Sequence, residues 1–295
     1  MLPTSPDDLW QRATARWAEI TAISPDLSPA VALQQRLLKV ILGAANALDE
    51  PLPASLTSAS VVEKWRRGVP ALRNERVPIP NGLKDTLPDL CNALAEGGAT
   101  DSAIHIRDAI LDKRIDAGSL LSVSLARNQK AIRTSALHMG LSPDLVWLVG
   151  ELGSCPLAYH LQAQLSAQDH WDRGYCPFCG SWPTFIESHH ASRSLRCSFC
   201  AFAWNLQSHR CIYCGNSEDD FVAAAPDVTR GDRSVELCSK CGNYTKTIAV
   251  AEATPFPLLA IEDLASMDLD QGAMNRGYRR PELYDLDSAE PLRAC

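Results

Sequence analysis

Four C-x-x-C pairs mark one part of this 295-residue sequence, which contains eleven cysteines. Eight of them lie between residues 176 and 241, in "CPFC", "CSFC", "CIYC" and "CSKC". A C-x-x-C turn can direct two thiolates at one metal ion, and two such turns complete a tetrahedral site. The sequence therefore predicts eight metal ligands: Cys176, Cys179, Cys197, Cys200, Cys211, Cys214, Cys238 and Cys241.

The four C-x-x-C pairs could share two metal ions in either of two ways. Consecutive pairing closes loops of 17 and 23 residues, whereas crossed pairing closes loops of 31 and 37. The entropy lost on closing a loop grows slowly with loop length, so it does not decide between the consecutive and the crossed pairing. Local strand content favours consecutive pairing, because "PTFIES" and "SLRCSFC" can form a hairpin with His189 and His190 near its tip.

Glycine follows the second cysteine in three of the four turns, at Gly180, Gly215 and Gly242. A left-handed residue at this position lets backbone N–H groups point at sulfur, and glycine adopts that conformation without strain. Ala201 stands at the fourth such position, so the second turn departs from the pattern.

The ligand type leaves the metal open. Tetrahedral all-sulfur geometry suits zinc and iron about equally, and residue chemistry alone favours structural zinc. A disulfide framework is not expected, because the chain is expected to be cytoplasmic and cytosolic thiols are kept reduced. Cys91 and Cys155 are predicted to be small buried apolar residues, and Cys295 a tail residue. A surface position is expected for His209, and an aromatic core around the turns for Phe178, Phe202, Trp204 and Tyr213.

Composition narrows the function classes. The chain has no apolar run of membrane-spanning length, and "MLPTSPDDLW" lacks the layout of a secretory signal, which predicts a cytoplasmic protein. Residues 171–250 carry eight acids and eight bases, whereas nucleic-acid modules present a basic surface. No phosphate-binding loop, H-E-x-x-H or G-x-S-x-G occurs, so nothing indicates an enzyme.

The pattern of the whole chain predicts an α+β protein. Residues 1–170 are expected to form an all-helical domain, with helices starting at Ser5, Ser28 and Ser142 before proline and a last helix at 156–168. Residues 51–60 and 77–88 are interpreted as long connections or a lid. Two tandem four-cysteine modules follow at 171–205 and 206–250, and then an acidic helical segment at 251–295.

These motifs together resemble the FdhE family, the formate dehydrogenase accessory (formation) proteins. The resemblance is carried by "RGYCPFCGSWPTF" (173–185), "LRCSFCAFAW" (195–204), "CIYCGN" (211–216) and "LCSKCGNYTKTI" (237–248). It continues in "IEDLASMDLDQGAMNRGYRRP" (261–281) and covers roughly residues 170–282. The helical half is similar to the family in character only.

The resemblance implies a helical N-terminal part, two rubredoxin-like modules and a cytoplasmic location. It further implies a role in forming active formate dehydrogenase through binding of its catalytic subunit. Iron is the metal implied for the eight cysteines, with zinc as the alternative. A rubredoxin-like electron carrier and a zinc-ribbon nucleic-acid-binding protein are the other functions that the sequence leaves open.

Overall fold

The computed structural model describes residues 5–165, 171–189, 192–224 and 232–281. The chain forms two compact units. Unit 1 comprises Met1–Leu56 with Asn74–Leu165, and unit 2 comprises Thr57–Arg73 with Ser166–Cys295. Their content is mixed α and β, with helices before and after a sheet region, as the sequence predicts.

The described α-helices are α1 (Pro6–Ile23), α2 (Ser28–Asn46), α3 (Ser58–Arg66), α4 (Asn81–Asp85), α5 (Leu87–Leu94), α6 (Thr100–Leu111), α7 (Ala117–Leu125), α8 (Gln129–His138), α9 (Pro143–Gln162), α10 (Leu259–Ala265) and α11 (Met267–Met274). The described strands are β1 (Pro183–His189), β2 (Ser192–Cys197), β3 (Ala203–Trp204), β4 (Phe221–Ala224), β5 (Arg233–Cys238) and β6 (Asn243–Ala249). None of these helices is long and apolar enough to cross a membrane.

Proline stands at the start of α1, α2 and α9, the three helices for which the sequence predicts a serine cap, but only one of these caps forms in full. The Ser5 hydroxyl accepts a hydrogen bond from the Asp8 N–H (3.1 Å). Ser28 instead donates to the Pro25 carbonyl (2.6 Å), because a short 3₁₀ turn, Pro25–Leu27, precedes α2. Ser142 is the N-cap of α9 without a side-chain bond. Proline pre-sets the first helical residue whether or not the cap bond forms.

Helix α9 runs through the core of unit 1, close to α5 and α7. A Cβ atom at Gly153 would lie 2.5 Å from Leu87 and 2.7 Å from Leu121, so this glycine permits the close approach. Leu87 and Leu121 are both fully buried. Burial of such side chains contributes about 1.5–3 kcal/mol each.

The separate helix predicted at 156–168 is wrong, because α9 continues through Pro156 to Gln162. Proline cannot donate to the Leu152 carbonyl, which is four residues earlier. The Cys155 thiol donates to that carbonyl instead (3.4 Å). Burial raises the pKa of Cys155 well above its ordinary value, so the thiol keeps its proton. Cys91 is buried as expected, and Cys295 lies outside the described residues.

Unit 2 is built on one six-stranded sheet of order β3-β2-β1-β6-β5-β4. We name the C-x-x-C turns knuckle 1 (176–179), knuckle 2 (197–200), knuckle 3 (211–214) and knuckle 4 (238–241). Knuckle 1 precedes the β1–β2 hairpin and knuckle 2 follows it; knuckles 3 and 4 flank β4–β5 in the same way. The two modules join where β1 pairs in parallel with β6. They are therefore arranged head to tail, because the first strand of one meets the last strand of the other.

Residues 57–73 pack against knuckle 1 within unit 2. The Trp65 indole donates to the Pro177 carbonyl (2.7 Å), and so does the Ala71 N–H (2.8 Å). The stretches 51–60 and 77–88 were expected to be connections or a lid. This is wrong in part, because α3 begins at Ser58, capped by the Thr57 hydroxyl, and α4 and the start of α5 lie within 77–88. The division into domains at 1–170, 171–205, 206–250 and 251–295 does not anticipate this packing and stays a prediction.

Helices α10 and α11 attach to the second module through a buried cation. Lys246 on β6 is fully buried, and its ammonium contacts Asp263 and Asp270 at 2.7 Å each. Arg280 lies 2.9 Å from each of the same carboxylates. The acidic helical segment thus uses two of its carboxylates to hold itself on the sheet.

Candidate metal centres

Hydrogen bonds within the knuckles fix the cysteine backbones. The N–H groups of Gly180, Gly215 and Gly242 donate to the carbonyls of the first cysteines of their knuckles, at 2.8–2.9 Å. These glycines have φ values of +86°, +76° and +70°, which is the left-handed region that the sequence predicts. Ala201 takes the same region at +58° without being glycine. The second knuckle therefore keeps the shared geometry at a conformational cost.

The eight thiols gather in two groups of four, in the consecutive arrangement. Site 1 contains Cys176, Cys179, Cys197 and Cys200, and site 2 contains Cys211, Cys214, Cys238 and Cys241. Within each group all sulfur atoms lie within 4.8 Å of one another. The crossed arrangement does not occur.

The sulfur spacing suits a tetrahedral metal ion. The Sγ–Sγ distance is 3.6 Å for Cys176 and Cys200 and 3.4 Å for Cys179 and Cys197. In site 2 the Sγ–Sγ distance is 3.7 Å both for Cys211 and Cys241 and for Cys214 and Cys238. Four thiolates about 2.3 Å from one ion have neighbours about 3.8 Å apart. A disulfide needs about 2.05 Å, and the described cysteines are all free.

The electrostatics of site 1 also fit a cation. Burial raises the pKa of Cys176 and of Cys200 well above the ordinary thiol value. Four buried thiolates repel one another and lack water, so the charged form needs a compensating positive ion. A divalent cation supplies that compensation, and its binding becomes coupled to folding.

Polar hydrogens point at one of the site 1 sulfurs, that of Cys197, and a hydroxyl group lies beside another, that of Cys179. The backbone N–H groups of Phe199 and Cys200 lie 3.4 and 3.5 Å from the Cys197 sulfur. The Ser181 hydroxyl, fully buried, lies 3.3 Å from the sulfur of Cys179. A metal-bound thiolate has no proton, so the Ser181 hydroxyl becomes the donor when a metal is bound. Such contacts orient ligands and offset their charge.

The two sites differ in how well they are covered. All four cysteines of site 1 are buried. In site 2, Cys211 and Cys238 are buried, whereas Cys214 and Cys241 are half-buried. Phe178 and Phe199 lie within the two knuckles of site 1, Phe202 follows knuckle 2 closely, and all three are buried. Two of these, Phe178 and Phe202, belong to the predicted aromatic core, as does Trp204, which is also buried.

An aromatic row crosses from the first module to the second. Trp171, Tyr175, Trp182 and Tyr213 follow one another with ring centroids 5.1, 6.1 and 4.9 Å apart. All three contacts are edge-to-face, the arrangement that aromatic pairs favour. The row therefore stabilises the junction between the modules.

The histidines lie outside both thiol groups among the described residues. His189 ends β1 and pairs with Ser192 at the hairpin, whereas His190 lies outside the described residues. The His209 side chain is exposed, as expected, but its ring contacts the buried carboxylate of Glu236 at 3.3 Å. It also stacks on Phe221 at 5.0 Å between ring centroids.

Sequence reasoning missed the residues that support the sites from a distance. Gly174 abuts knuckle 3, because a Cβ atom there would lie 1.7 Å from the Ile212 carbonyl oxygen. Glu187 forms a buried ion pair with Arg196 and accepts from the Thr254 N–H (2.9 Å). The sequence could have indicated Gly174, because it is a glycine just before knuckle 1. It gave no signal for the buried ion pair of Glu187 and Arg196, because charged residues in a strand look like exposed positions.

Known proteins with similar sequences are FdhE homologues. The homologue from Aquifex aeolicus (strain VF5) is 28% identical over 246 residues, which covers 78% of this chain and 79% of that protein. The homologue from Yersinia pestis (strain Pestoides F) is 26% identical over 239 residues, covering 80% of this chain and 74% of that protein. No family model matches the chain.

A solved structure shares the fold. The crystal structure of the FdhE protein from Pseudomonas aeruginosa matches with a TM-score of 0.62 at 20% sequence identity. The match covers 95% of this chain and 96% of that chain. With the two four-cysteine groups and the similar sequences, the resemblance of this chain to the FdhE family is confirmed.

Proposed function

We propose that this chain is a cytoplasmic accessory protein for the formation of formate dehydrogenase, and that it binds the catalytic subunit of that enzyme. The observation that carries the proposal is the pair of four-thiol groups on one sheet, in a chain similar to FdhE homologues over 78–80% of its length. The "GYRRP" end supports it, since its Arg280 holds the last helices on the second module.

The same proposal assigns the eight cysteines as ligands of two metal ions, with site 1 and site 2 each holding one. Iron is the proposed metal and zinc the alternative, because four thiolates accept either. Bound iron would supply one-electron chemistry, and either metal would stabilise the fold. The cysteines hold the ion, and the knuckle N–H groups offset thiolate charge. Four protein ligands leave no open coordination position, which favours a binding role over that of an enzyme.

A gene deletion tests the accessory role. Loss of the chain is expected to lower formate dehydrogenase activity while the transcript of the catalytic subunit stays unchanged. Wild-type chain should restore the activity, and a Cys214→Ser/Cys241→Ser variant should not. The Cys91→Ala variant is the matched control, because Cys91 is a buried cysteine that belongs to neither thiol group. Unchanged activity in the deletion strain would refute the accessory role.

A pull-down with the purified catalytic subunit tests the partner directly. We expect the metal-loaded chain to retain the subunit and the Cys214→Ser/Cys241→Ser variant to retain less. A chain that never captures the subunit but cycles one electron per iron with a flavin reductase would be an electron carrier. Salt-dependent capture of DNA or RNA instead would make it a nucleic-acid-binding protein.

Absorption and metal analysis test the metal. Anaerobically purified and then oxidised protein is expected to show thiolate-to-iron charge-transfer bands. A colourless protein with about two zinc ions per chain would contradict iron and leave the two-site proposal standing.

A further inference from the structure

The thiols of site 2 are closer to solvent than those of site 1. Cys214 and Cys241, one from each knuckle of site 2, are half-buried, whereas every cysteine of site 1 is buried. The turns themselves differ in the same way. Both residues between the cysteines of knuckle 4 are exposed, whereas both of those in knuckle 1 are buried. A small solute therefore has an approach to site 2 that site 1 does not offer.

A separate segment of the chain adds to the cover of site 1. The N–H groups of Ala71 and Leu72 donate to the carbonyls of Pro177 and Phe178 in knuckle 1, at 2.8 and 2.9 Å. These bonds hold residues 57–73 against the turn, so the enclosure of site 1 is built into the backbone.

Each half-buried thiol of site 2 lies close to a buried thiol on the other knuckle. The Sγ–Sγ distance is 3.7 Å for Cys214 and Cys238, and it is 3.7 Å for Cys241 and Cys211. A disulfide has sulfurs about 2.05 Å apart, so each pair needs to close by less than about 2 Å. An accessible thiol with a second thiol poised beside it is the arrangement typical of reversible oxidation.

Proximity alone does not distinguish the two sites. In site 1 the corresponding distances are 3.6 Å for Cys176 and Cys200 and 3.4 Å for Cys179 and Cys197. All four of these cysteines are buried, so neither pair has a member that meets a dissolved oxidant. Because susceptibility to oxidation follows exposure as well as thiolate character, the difference in cover favours oxidation at site 2.

A peroxide supplies an oxidant that balances the chemistry. The sulfur of Cys214 or Cys241 attacks one peroxide oxygen, so that an S–O bond forms, the O–O bond breaks and hydroxide leaves. The thiolate of the neighbouring buried cysteine then attacks the sulfenic sulfur, forms the S–S bond and expels a second hydroxide. Two thiolates have lost two electrons in total, and one peroxide has become two hydroxide ions, which take up protons to give water.

We propose that site 2 is a reversible oxidation site, at which peroxide joins knuckle 3 to knuckle 4 through the disulfides Cys214–Cys238 and Cys211–Cys241 while site 1 stays reduced. Each disulfide removes two of the four ligands, so oxidation abolishes metal binding at site 2 and spares site 1. Loss of the ion rests on the two metal sites of the proposed function, whereas formation of the disulfides does not.

Hydrogen peroxide added to the full-length, zinc-loaded chain tests the proposal. Zinc has no redox chemistry of its own, so the electrons come from sulfur. The chain carries Cys295→Ser, which removes a thiol that can exchange with new disulfides. A colorimetric indicator follows zinc release, and peptide mass spectrometry maps the disulfides after the remaining thiols are blocked. We expect one zinc ion to leave at least about tenfold faster than the other, together with the two disulfides between knuckles. A dithiol reductant with added zinc should restore both ions.

Single substitutions check the pairing. In peroxide, Cys214→Ser should form Cys211–Cys241 as the disulfide of site 2, and Cys241→Ser should form Cys214–Cys238. Cys91→Ala is the matched control and should leave both disulfides in place, because Cys91 belongs to neither thiol group. These comparisons use the disulfide map alone, so they remain informative if a variant binds zinc weakly.

Three outcomes would overturn the proposal. The first is oxidation of site 1 before site 2 or at the same rate. The second is a disulfide within knuckle 3 or knuckle 4 in place of the two between them. The third is conversion of the site 2 sulfurs to sulfinic acids without a disulfide. A chain that binds no zinc would instead refute the metal sites of the proposed function, and the disulfide map would still decide between the two thiol groups.

Discussion

The two modules repeat one order of turns and strands, but site 1 is enclosed and site 2 is open at two of its cysteines. Residues 57–73 and a set of aromatic side chains cover knuckle 1, where Trp65 and Ala71 bond to Pro177. In the second module Cys214 and Cys241 stay half-buried. The comparison teaches that one ligand pattern serves both an enclosed site and an accessible one, because covering comes from elsewhere in the chain.

Removing ligands from each site in turn should give the largest difference. Cys176→Ser/Cys200→Ser is expected to unfold unit 2 in large part, because metal binding to such sites is worth about 10–16 kcal/mol and site 1 sits in its aromatic core. Cys214→Ser/Cys241→Ser should lose one metal ion and keep the other. Metal content per chain and near-ultraviolet circular dichroism measure both effects.

The comparison would be reversed if Cys176→Ser/Cys200→Ser stayed folded with one metal ion while Cys214→Ser/Cys241→Ser unfolded. Loss of both metals from Cys214→Ser/Cys241→Ser would show that the sites fold only together.

Uncovering site 1 should make it behave like site 2. Trp65→Ala removes a ring that is 2% exposed and its bond to Pro177, so the free energy of unfolding should fall by about 3–5 kcal/mol. A chelator should then remove the site 1 metal as readily as the site 2 metal. Trp10→Ala, at a ring that is 37% exposed, is the control. Unchanged chelator resistance in Trp65→Ala would mean that covering does not set metal retention.

The second module should depend on its buried lysine instead. Lys246→Met leaves Asp263 and Asp270 with Arg280 as their remaining basic partner in the described structure. We expect a loss of about 2–4 kcal/mol, somewhat below the full cost of breaking a buried pair, because Arg280 still compensates part of the charge. Denaturant unfolding measures the loss. Unaltered site 1 metal content in the variant would place the effect in the second module.

The same cluster predicts sensitivity of the second module to acid. Burial alone would raise the pKa of Asp263, but Arg280 and Lys246 hold that pKa below its ordinary value of 3.8. A carboxyl with a lowered folded-state pKa stabilises the fold above the unfolded value, and this contribution is lost as pH falls below it. Unfolding between pH 5 and pH 3 should therefore depend less on pH in Asp263→Asn than in wild type. Equal slopes would contradict the assignment.

The turn residues give the smallest effect. Gly215→Ala meets no atom within 4 Å but has φ +76°, so its cost is conformational, about 1–2 kcal/mol. Ala201→Gly relieves the same strain in knuckle 2, but it also removes the methyl group of a residue that is only 6% exposed, so packing is lost. The strain relieved and the packing lost nearly cancel, so we expect little change in the stability of Ala201→Gly. Thermal unfolding that shows a large gain for Ala201→Gly would mean that the methyl group packs poorly.

Short-range features were predictable from the sequence. The knuckles follow from cysteine spacing, the left-handed turns from glycine, and three helix starts from proline. Each depends on residues within a few positions of one another. Consecutive pairing of the knuckles was also accessible, because it follows from a local hairpin.

Long-range features were not predictable in this way. Trp65 and Pro177 are separated by 112 positions, and nothing near either residue signals their bond. Pro156 lies inside α9, where local rules predict that a helix ends, and the Cys155 thiol donates to the Leu152 carbonyl that proline leaves without its usual donor. Lys246 looks like an exposed strand residue until the helices that carry Asp263 and Asp270 are placed.

The parallel joint between β1 and β6 has a consequence for how the chain is made. Ile186 pairs with Thr247, 61 positions later, whereas each hairpin closes locally. At about 5–20 residues per second, a ribosome takes about 3–12 seconds to synthesise that interval. During this time β1 exposes an unpaired strand edge, the kind of edge that invites aggregation. In the newly made first module, the edge of β1 that pairs with β6 therefore stays unpaired until the second module has been synthesised.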